Sequence, residues 1–573
     1  MPDRPIIAYL SMEIALEPAI PTYAGGLGVL AGDTVRSAAD LGISMVAVTP
    51  VHRRGHFRQI LDGLGNQSEE AELWRPEDHL VPLQARVEVE LGARRVVVGA
   101  WSYAVRGISG GIVSVVLLDT DLPENHPDDR RLTDTLYGGD LRYRLCQEAI
   151  LGIGGVRMLR ALGESCIDRF HLNEGHAALA VLPLLDERVG EAGPDGEARL
   201  AAAFAELRRR CVFTTHTPVA AGHDRFPMEL VRSVLGERHA RRLAWIGGSE
   251  TVNLTDLALR SSHFVNGVAM RHGEVSQDMF PEYPIHSITN GIHPATWASE
   301  PFCELFDRFT PNWRRDAFAL RYAVGIPLNQ IARAHQRAKR RLVEYVKGSG
   351  AGTLRADTVT LGFARRSTAY KRSTLIFRDL ERLASLSREA GPVQIVFAGK
   401  AHPADGEGKA LIRRIFEARH ALKGAVEVVY LPNYGMELAR LLVAGCDVWI
   451  NTPVPPLEAS GTSGMKAALN GVPSLSVLDG WWVEGHVEGI TGWSVGRDHG
   501  RTAPPGEALD AIHARALYDK LEFSVLPIYY SRRPEYVQMM RHAIALNAAF
   551  FNSQRMVLQY LYDAYVDGPN GRL

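Results

Sequence analysis

Cysteine is scarce and scattered in this 573-residue chain. The five cysteines are odd in number and include no CxxC pair: Cys146, Cys166, Cys211, Cys303 and Cys446. This usage argues against a disulfide framework and against a structural zinc site. It is typical of a reducing compartment, so we expect a cytoplasmic protein.

An excess of charge and a long hydrophobic run are also lacking. Lys+Arg number 64 and Asp+Glu 65, with no charged tail, so we expect no nucleic-acid partner and no membrane partner. The apolar stretch before Glu13 is too short for a signal peptide, and no segment is long enough to span a bilayer. A neutral substrate or a locally built anion site fits this composition better.

The second half of the chain has the clearest architecture. A chain of 63.0 kDa exceeds the size of one hydrophobic core, so two large domains are expected. Apolar runs at 358–364, 393–398, 426–431, 446–451 and 474–478 alternate with amphipathic stretches near 371–388, 407–422 and 435–444. This alternation predicts a doubly wound parallel sheet.

The first half shows the same alternation of strand-like and helical segments, but less regularly. Its strand-like runs lie at 5–10, 44–51, 112–118, 169–172 and 212–215. We therefore expect a second α/β domain, and we place the join near the breakers Gly291 and Pro294. The predicted domains are 1–293 and 294–573, with a helical stretch at about 536–565 that packs back across the join.

The segment EASGTSGMKAALNG, residues 458–471, places a carboxylate, hydroxyl groups, glycines and one lysine at the expected start of a helix. A helix that begins after Gly461-Thr462-Ser463-Gly464 directs free N–H groups at one point, which suits a phosphate. Lys466 then lies in the first turn, where partial burial favours the neutral amine that can react with an aldehyde. The plainer alternative is that Thr462 or Ser463 caps a helix and Lys466 is solvated.

Two further segments suit anions. RRSTAYKR, residues 365–372, follows the run 358–364 at the end of the strand where open α/β sheets bind ligands, and its cations can hold two phosphates together. The glycines of YAGGLG, residues 23–28, allow close backbone approach to a phosphate. The alternatives are a basic surface loop and an ordinary glycine-rich turn.

The histidines do not form a metal motif. None of His171, His176, His216, His223 and His293 has HExxH spacing, and no paired carboxylate accompanies them. We therefore expect no metal.

The lysine segment, followed by LSVLDGWW at 475–482, closely resembles the pyridoxal-phosphate segment of the glycogen, starch and maltodextrin phosphorylases. Other segments of that family recur in the same order: YLSMEI at 9–14, YAGGLGVLAGD at 23–33, HLNEGH at 171–176, FTTHTP at 213–218, HFVNGVA at 263–269, TNGI at 289–292, RRSTAYKR at 365–372 and NYGMELA at 433–439. The resemblance implies two Rossmann-like doubly wound domains that face each other across a cleft, the GT-B type glycosyltransferase fold.

The resemblance also implies roles for single residues. Lys466 would anchor pyridoxal 5'-phosphate, and Arg366 and Lys371 would hold the substrate phosphate. The other residues expected around the cofactor are Thr462, Ser463, Arg365, Tyr434 and Gly26. Those expected at the sugar are His216, Glu458, Ser460, Gly461, Asn290, His176 and Glu174. Arg365 departs from the lysine that many members have, which keeps the charge but changes the geometry.

The implied reaction is retaining phosphorolysis of α-1,4-glucan from the non-reducing end, which releases α-glucose 1-phosphate. No convincing pair of opposed carboxylates exists for simple hydrolysis. The expected partners are α-glucan and inorganic phosphate, and homodimerisation is left open. The regulatory N-terminal arm of the best-known members is expected to be absent, so we expect no control by phosphorylation or AMP.

Two rival functions remain at this point. A sugar-nucleotide glycosyltransferase shares the two-domain cleft but lacks the cofactor lysine. A glucan-binding protein without catalysis shares the fold alone. The joint presence of Lys466, Arg366 and Lys371 favours the phosphorylase.

Overall fold

The computed structural model describes residues 5–189, 196–219, 222–248, 250–498 and 506–566, and it is built on two large sheets. The strands of the first half are β1 (Ile7–Ser11), β2 (Met45–Pro50), β3 (Arg58–Leu61), β4 (Gln67–Glu70), β5 (Val81–Leu91), β6 (Arg94–Arg106), β7 (Ile112–Asp119), β8 (Arg169–Asn173), β9 (Cys211–Thr214), β10 (Arg225–Pro227), β11 (Thr251–Asn253), β12 (Phe264–Gly267) and β13 (His286–Ser287). Those of the second half are β14 (Val359–Ala364), β15 (Val393–Ala398), β16 (Glu427–Leu431), β17 (Val448–Asn451), β18 (Ser474–Val477) and β19 (Gly492–Val495).

The first sheet has the order β13-β12-β9-β8-β1-β2-β7-β6-β5. Its pairs are parallel from β13 to β7, whereas β6 and β5 form an antiparallel edge. The strand order reverses between β1 and β8. At such a point loops separate to opposite faces and leave a crevice beyond the carboxyl ends of the strands.

The second sheet is parallel throughout, with the order β16-β15-β14-β17-β18-β19. Its strands are almost wholly buried because helices cover both faces, which explains their continuous apolar runs. The order reverses between β14 and β17. The prediction of a doubly wound α/β fold is confirmed.

The helices that cover the first sheet are α1 (Gly26–Leu41), α2 (Leu141–Ala149), α3 (Gly155–Ala161), α4 (Val181–Val189), α5 (Glu197–Arg208), α6 (Met228–Ile246), α7 (Leu254–Ser261) and α8 (Met270–Met279). The later ones are α9 (Pro294–Trp297), α10 (Glu300–Phe309), α11 (Leu328–Ser349), α12 (Leu380–Glu389), α13 (Gly406–Ala421), α14 (Met436–Gly445), α15 (Ser463–Leu469), α16 (Trp482–Gly485), α17 (Glu507–Lys520), α18 (Leu526–Tyr530), α19 (Arg533–His542) and α20 (Ser553–Tyr560). No helix in the described part of the chain is both long and apolar enough to cross a bilayer.

The stretch 536–565 is not one helix. A π-helical segment, Ala543–Ala548, follows α19, and Asn552 starts α20 by accepting the N–H of Arg555 at 2.8 Å. This last part packs on the first sheet, where the Tyr565 hydroxyl and His171 Nδ1 lie 2.6 Å apart and the Tyr560 hydroxyl contacts Thr214 Oγ1 at 3.0 Å. The 293/294 domain boundary stays a prediction.

Candidate active site

The candidate residues gather at the carboxyl ends of both sheets, at the two points where strand order reverses. Arg365 directly follows β14, and Asn451 ends β17. In the first sheet Glu13 follows β1, and Glu174 follows β8. Open α/β sheets bind ligands at these positions, so the fold itself selects this region.

Lys466 is the fourth residue of α15, and its side chain is buried rather than solvated, at 7 % exposed. Its Nζ lies 3.7 Å from the centroid of the Trp297 indole. Burial lowers the pKa of Lys466 to about 8, and Asp33 and Arg440 act on it in opposite directions. The neutral, nucleophilic amine is therefore accessible near physiological pH. The alternative of a solvated lysine is wrong.

Three distant parts of the chain build the lysine chamber. Trp297 comes from α9 and donates its indole N–H to Asp33 Oδ2 of α1 at 2.8 Å. Ser463 does not cap the helix through its hydroxyl, which instead accepts the Trp449 indole N–H at 3.1 Å. Within the described ranges Thr462 makes no side-chain capping bond either. Both hydroxyl-bearing residues thus stand at the start of α15 beside the lysine.

Arg365 is a buried guanidinium without a carboxylate partner in the described residues. Its Nη2 donates to the Ile450 carbonyl at 2.7 Å, but its Nε finds no hydrogen-bond partner there. Burial lowers the pKa of Arg365, while nearby Glu458 and Tyr434 oppose that shift. A buried cation with an unused donor is a receptor for an anion.

Arg366, unlike its neighbour Arg365, is exposed. Burial lowers the pKa values of His56 and His402, and the charge of Arg366 adds to both shifts; it also acts on Tyr137, whose pKa burial raises. It therefore lies at the cleft between the two sheets.

Lys371 and Glu458 form a tight pair. The ammonium contacts Glu458 Oε1 at 2.6 Å and Oε2 at 2.5 Å. Asp479 supports this pair because its Oδ2 accepts the N–H of Glu458 at 2.9 Å. Burial raises the pKa of Asp479 to about 7. The two residues expected to bind different substrates thus bind each other in this structure.

The glycine loop contacts a carboxylate of its own chain. Glu13 Oε2 accepts the N–H groups of Ala24 at 2.7 Å and Gly25 at 3.2 Å. A Cβ added at Gly26 would meet no atom within 4 Å, so the loop faces open space at that residue. The Tyr23 hydroxyl, in turn, accepts the N–H of Met436 at 3.1 Å, which places the loop beside Tyr434.

His216, Glu174 and Asn173 form a polar unit beyond β8 and β9. Glu174 Oε2 accepts the N–H of His216 at 2.8 Å, and His216 Nε2 lies 2.7 Å from Asn173 Oδ1. Burial lowers the pKa of His216 to about 4, so the ring is neutral at pH 7 and can donate from Nε2 to the amide oxygen. Glu174 has φ 71°, a left-handed conformation held by these bonds.

His176 belongs to the one group in the described residues with metal-like geometry, together with Glu148 and Asp224. Arg144 lies among them, 3.4 Å from Glu148 Oε1, 2.9 Å from Asp224 Oδ2 and 3.1 Å from His176 Nε2. The guanidinium already supplies the positive charge of this group. Burial raises the pKa of Glu148, whereas the contacts with His176 and Arg144 outweigh burial and lower that of Asp224.

The remaining predicted residues of the site are Asn290, Ser460 and Gly461. Among the described residues, Asn290 Oδ1 and Ser460 Oγ are buried without a hydrogen-bond partner, as is Asn451 Oδ1. Gly461 has φ 82°, and a Cβ there would meet Glu458 Cδ at 3.2 Å, so glycine is required. These orphaned atoms are free to bind hydroxyl groups.

Comparison with known proteins agrees with this geometry. A family model described as Carbohydrate phosphorylase matches residues 223–490. The chain is 38% identical to "Maltodextrin phosphorylase" of Thermococcus litoralis over 98% of its own length and 70% of the relative's. It is 37% identical to "Glycogen phosphorylase" of Mycobacterium tuberculosis, with the same shares covered. The chain belongs to the carbohydrate phosphorylase family. A further phosphorylase relative, "Glycogen phosphorylase" of Aquifex aeolicus, is 34% identical over 98% of this chain and 86% of the relative.

Members of the carbohydrate phosphorylase family generally depend on pyridoxal phosphate, and the residues present fit that group. Lys466 offers an amine whose pKa is about 8 in an apolar chamber. Arg365 offers a buried guanidinium with a spare donor in the described part of the chain. An aldehyde and a phosphate on one cofactor would satisfy both.

Sequence reasoning missed several residues of this phosphorylase site. Trp297, Asp479 and Asn173 contact the predicted residues Lys466, Glu458 and His216. Asp33 bonds Trp297, and Glu13 bonds the backbone of the glycine loop. Glu13, Asn173 and Asp479 lie inside the motifs already singled out, so a reading of every polar residue in those motifs would have found them. Asp33 also lies inside one of those motifs, YAGGLGVLAGD at 23–33, whereas Trp297 carries no such local signal of lysine contact.

Proposed function

We propose that this phosphorylase cleaves the terminal glucose of an α-1,4-glucan with inorganic phosphate, with retention of configuration, and releases α-glucose 1-phosphate. The observations that carry the proposal are the buried Lys466 amine and the buried Arg365 guanidinium, whose Nε has no hydrogen-bond partner among the described residues. The names of the relatives, maltodextrin and glycogen phosphorylase, support the substrate class.

Lys466 would hold pyridoxal 5'-phosphate covalently, and Arg365 would bind the cofactor's phosphate. Thr462 and Ser463, at the start of α15, would complete the cofactor site together with Tyr434 and Gly26. When bound, the cofactor supplies a phosphate group that can exchange a proton with the substrate phosphate. Asp33 and Trp297 exclude water from the amine.

Arg366 and Lys371 would hold the substrate phosphate. Two phosphates repel each other, so cations in a site sheltered from water are needed to hold them together. For Lys371 to reach an anion, its ammonium must leave Glu458. Glu458 then becomes free to accept hydrogen bonds from sugar hydroxyls.

The terminal glucose would lie between the two sheets. Glu458, Ser460 and Gly461 would bind it from the second half of the chain, and Asn290, His176 and Glu174 from the first. The neutral ring of His216 contributes no positive charge, which suits a site where the anomeric carbon becomes electron-poor. Glu174 fixes His216 through its main chain.

The remaining parts of the proposal concern the whole molecule. We place it in the cytoplasm, as a possible homodimer, with one Rossmann-like domain at 1–293 and the other at 294–573. The cysteine usage supports the compartment, and the two separate sheets support the division into two domains.

The direct test measures phosphate-dependent release of glucose 1-phosphate from a series of maltooligosaccharides and from glycogen. The holoenzyme is expected to be active only with phosphate and to carry the absorbance of bound pyridoxal. Release of free glucose without phosphate, or transfer from a sugar nucleotide by a colourless protein, would refute the proposal.

A further inference from the structure

The hairpin formed by β3 and β4 belongs to the first half of the chain but lies on the second sheet. Each strand carries a buried glutamine, Gln59 at 1% exposed and Gln67 at 9%. A buried amide is costly unless all its donors and acceptors are bonded. The hydrogen-bond partners of these two amides therefore show which part of the molecule the hairpin contacts.

Both amides bind the loop that follows β15. Gln59 Nε2 donates to the Gly399 carbonyl at 2.9 Å, and Gln67 Nε2 donates to the Ala401 carbonyl at 2.8 Å. Gln67 Oε1 accepts the N–H of Ala401 at 3.0 Å. The glutamines also bond each other at 2.9 Å. The contact thus fixes backbone groups of residues 399–401.

Asn433 provides a second point of attachment. Its Oδ1 accepts the N–H of Gln59 at 2.7 Å, its Nδ2 donates to the Gln59 carbonyl at 3.0 Å, and its N–H donates to Gln59 Oε1 at 3.1 Å. Asn433 has φ 56°, a conformation that asparagine and glycine adopt most readily. The hairpin is therefore hydrogen-bonded to the loops that follow β15 and β16.

Residues 399–401 in turn contact the segment 365–372, which we call the phosphate loop. Ser367 donates its N–H to the Lys400 carbonyl at 2.9 Å, and Arg365 donates its N–H to the Ala398 carbonyl at 3.1 Å. A Cβ at Gly399 would stand 2.0 Å from the Arg365 carbonyl, so the two backbones are in direct contact. A displacement of residue 399 is therefore a displacement of Arg365.

We propose that this hairpin is a clasp through which the first half of the chain positions the phosphate loop, with Gln59 and Gln67 as its positioning residues. This inference rests on the proposed function for the identity of the anion. The glutamines are not expected to contact substrate or cofactor themselves. Their hydrogen bonds across the cleft hold Arg365, and the loop that carries Arg366 and Lys371, in the arrangement that binds phosphate.

The test compares the full-length holoenzyme with a Gln59→Ala/Gln67→Ala variant. Loss of the clasp should raise the KM for phosphate about tenfold, the size of one or two lost hydrogen bonds, and change the KM for glucan less than about twofold. Amide hydrogen exchange should accelerate in residues 365–372 and 398–403. The matched control is Arg58→Ala, because Arg58 lies on the same hairpin but forms an exposed pair with Glu70.

A second variant changes the residue of the second half of the chain that bonds the hairpin. Asn433→Gly keeps the positive φ and removes two of the three bonds, so it should shift exchange and the phosphate KM in the same direction even where the double variant folds poorly. Unchanged exchange in 365–372, or equal rises in both KM values, would overturn the clasp. If the wild type shows no phosphorolysis, the proposed function fails, while the exchange comparison still decides the clasp.

Discussion

Two groups of buried charges lie at opposite ends of strand β17, and they differ in how completely they are bonded. At the amino end, Asp447 is fully buried, and its Oδ1 lies 2.9 Å from His335 Nε2. Its Oδ2 accepts hydrogen bonds from Lys339 Nζ at 2.5 Å and from the N–H of Thr360 at 2.7 Å. Both oxygens of this carboxylate are satisfied within the fold.

At the carboxyl end the bonding is incomplete. Arg365 Nε and Asn451 Oδ1 are buried without hydrogen-bond partners in the described residues. Lys466 forms no ion pair with a carboxylate in those ranges, and its nearest partner is the Trp297 ring. At the amino end both charged groups, Asp447 and Lys339, are fully bonded, although His335 Nδ1 has no partner in the described residues. Buried charges are normally bonded in this way, so we infer that the incompletely bonded guanidinium at the carboxyl end is a site for a ligand.

The largest expected effect comes from Lys466→Ala. The variant should lose the absorbance of the bound cofactor and lower kcat/KM by roughly a thousandfold or more, because the amine that anchors the cofactor is gone. Spectra and glucose 1-phosphate release measure the two losses together. Lys409→Ala, which removes a lysine paired with Glu69 at 2.7 Å, is the control. A fully active Lys466→Ala enzyme would contradict the assignment.

The complementary change is Lys339→Met in the group at the amino end of β17. The substitution removes the ammonium that neutralises the buried Asp447 carboxylate, so the free energy of unfolding should fall by about 3–5 kcal/mol. The kcat per folded enzyme should stay the same. Urea denaturation and activity assays measure both quantities. A stability within about 1 kcal/mol of the wild type would remove the distinction between the two ends of β17.

Asp479→Asn tests how stability depends on pH at a buried carboxyl group beside the Lys371–Glu458 pair. Burial raises the pKa of Asp479 to about 7, above its unfolded value of 3.8. Between these two pH values the carboxyl group is protonated in the folded protein and ionised in the unfolded chain. Stability should therefore decrease as pH rises from about 4 to 7, by roughly 4 kcal/mol at most. Asparagine should flatten this slope in denaturation curves at pH 5 and pH 8. An equal slope in both proteins would show that Asp479 does not titrate there.

Arg365→Lys should have the smallest effect. The charge is kept, but the bond to the Ile450 carbonyl and the planar donor geometry are lost. We expect roughly tenfold weaker retention of pyridoxal phosphate and a change in stability below about 1 kcal/mol. Equilibrium dialysis of the cofactor measures the first. Unchanged retention would mean that Arg365 does not bind the cofactor.

The second sheet was predictable because its strands are buried on both faces and read as continuous apolar runs, as in β14 and β15. The antiparallel ribbon of β5 and β6 was missed. In β5 charged residues alternate with apolar ones and most side chains are exposed, whereas β6 is a half-buried strand with charges only at its two ends. The predicted helix at 371–388 begins only at Leu380. Arg372 interrupts it with φ 49°, and its guanidinium reaches the carbonyls of Thr452 and Pro453.

The candidate site was predictable where its residues share one motif. Lys466, Thr462 and Ser463 are neighbours in the sequence, and helix geometry alone places them together. The chamber around the amine was not predictable, since Asp33 and Trp297 meet only through tertiary packing across 264 positions. A local pattern predicts which group reacts, whereas the groups that tune its pKa come from elsewhere in the fold.

The bond between His171 and Tyr565 has a consequence for synthesis on the ribosome. Strand β8 emerges early, but the hydroxyl that meets its histidine follows 394 positions later. The side chains of His171, Thr214 and Asn266 therefore lack their tyrosine partners throughout elongation of the intervening chain. The first sheet therefore completes its interior only after the second has been made, and nascent chains that stop short of α20 expose an unfilled polar groove to chaperones and proteases.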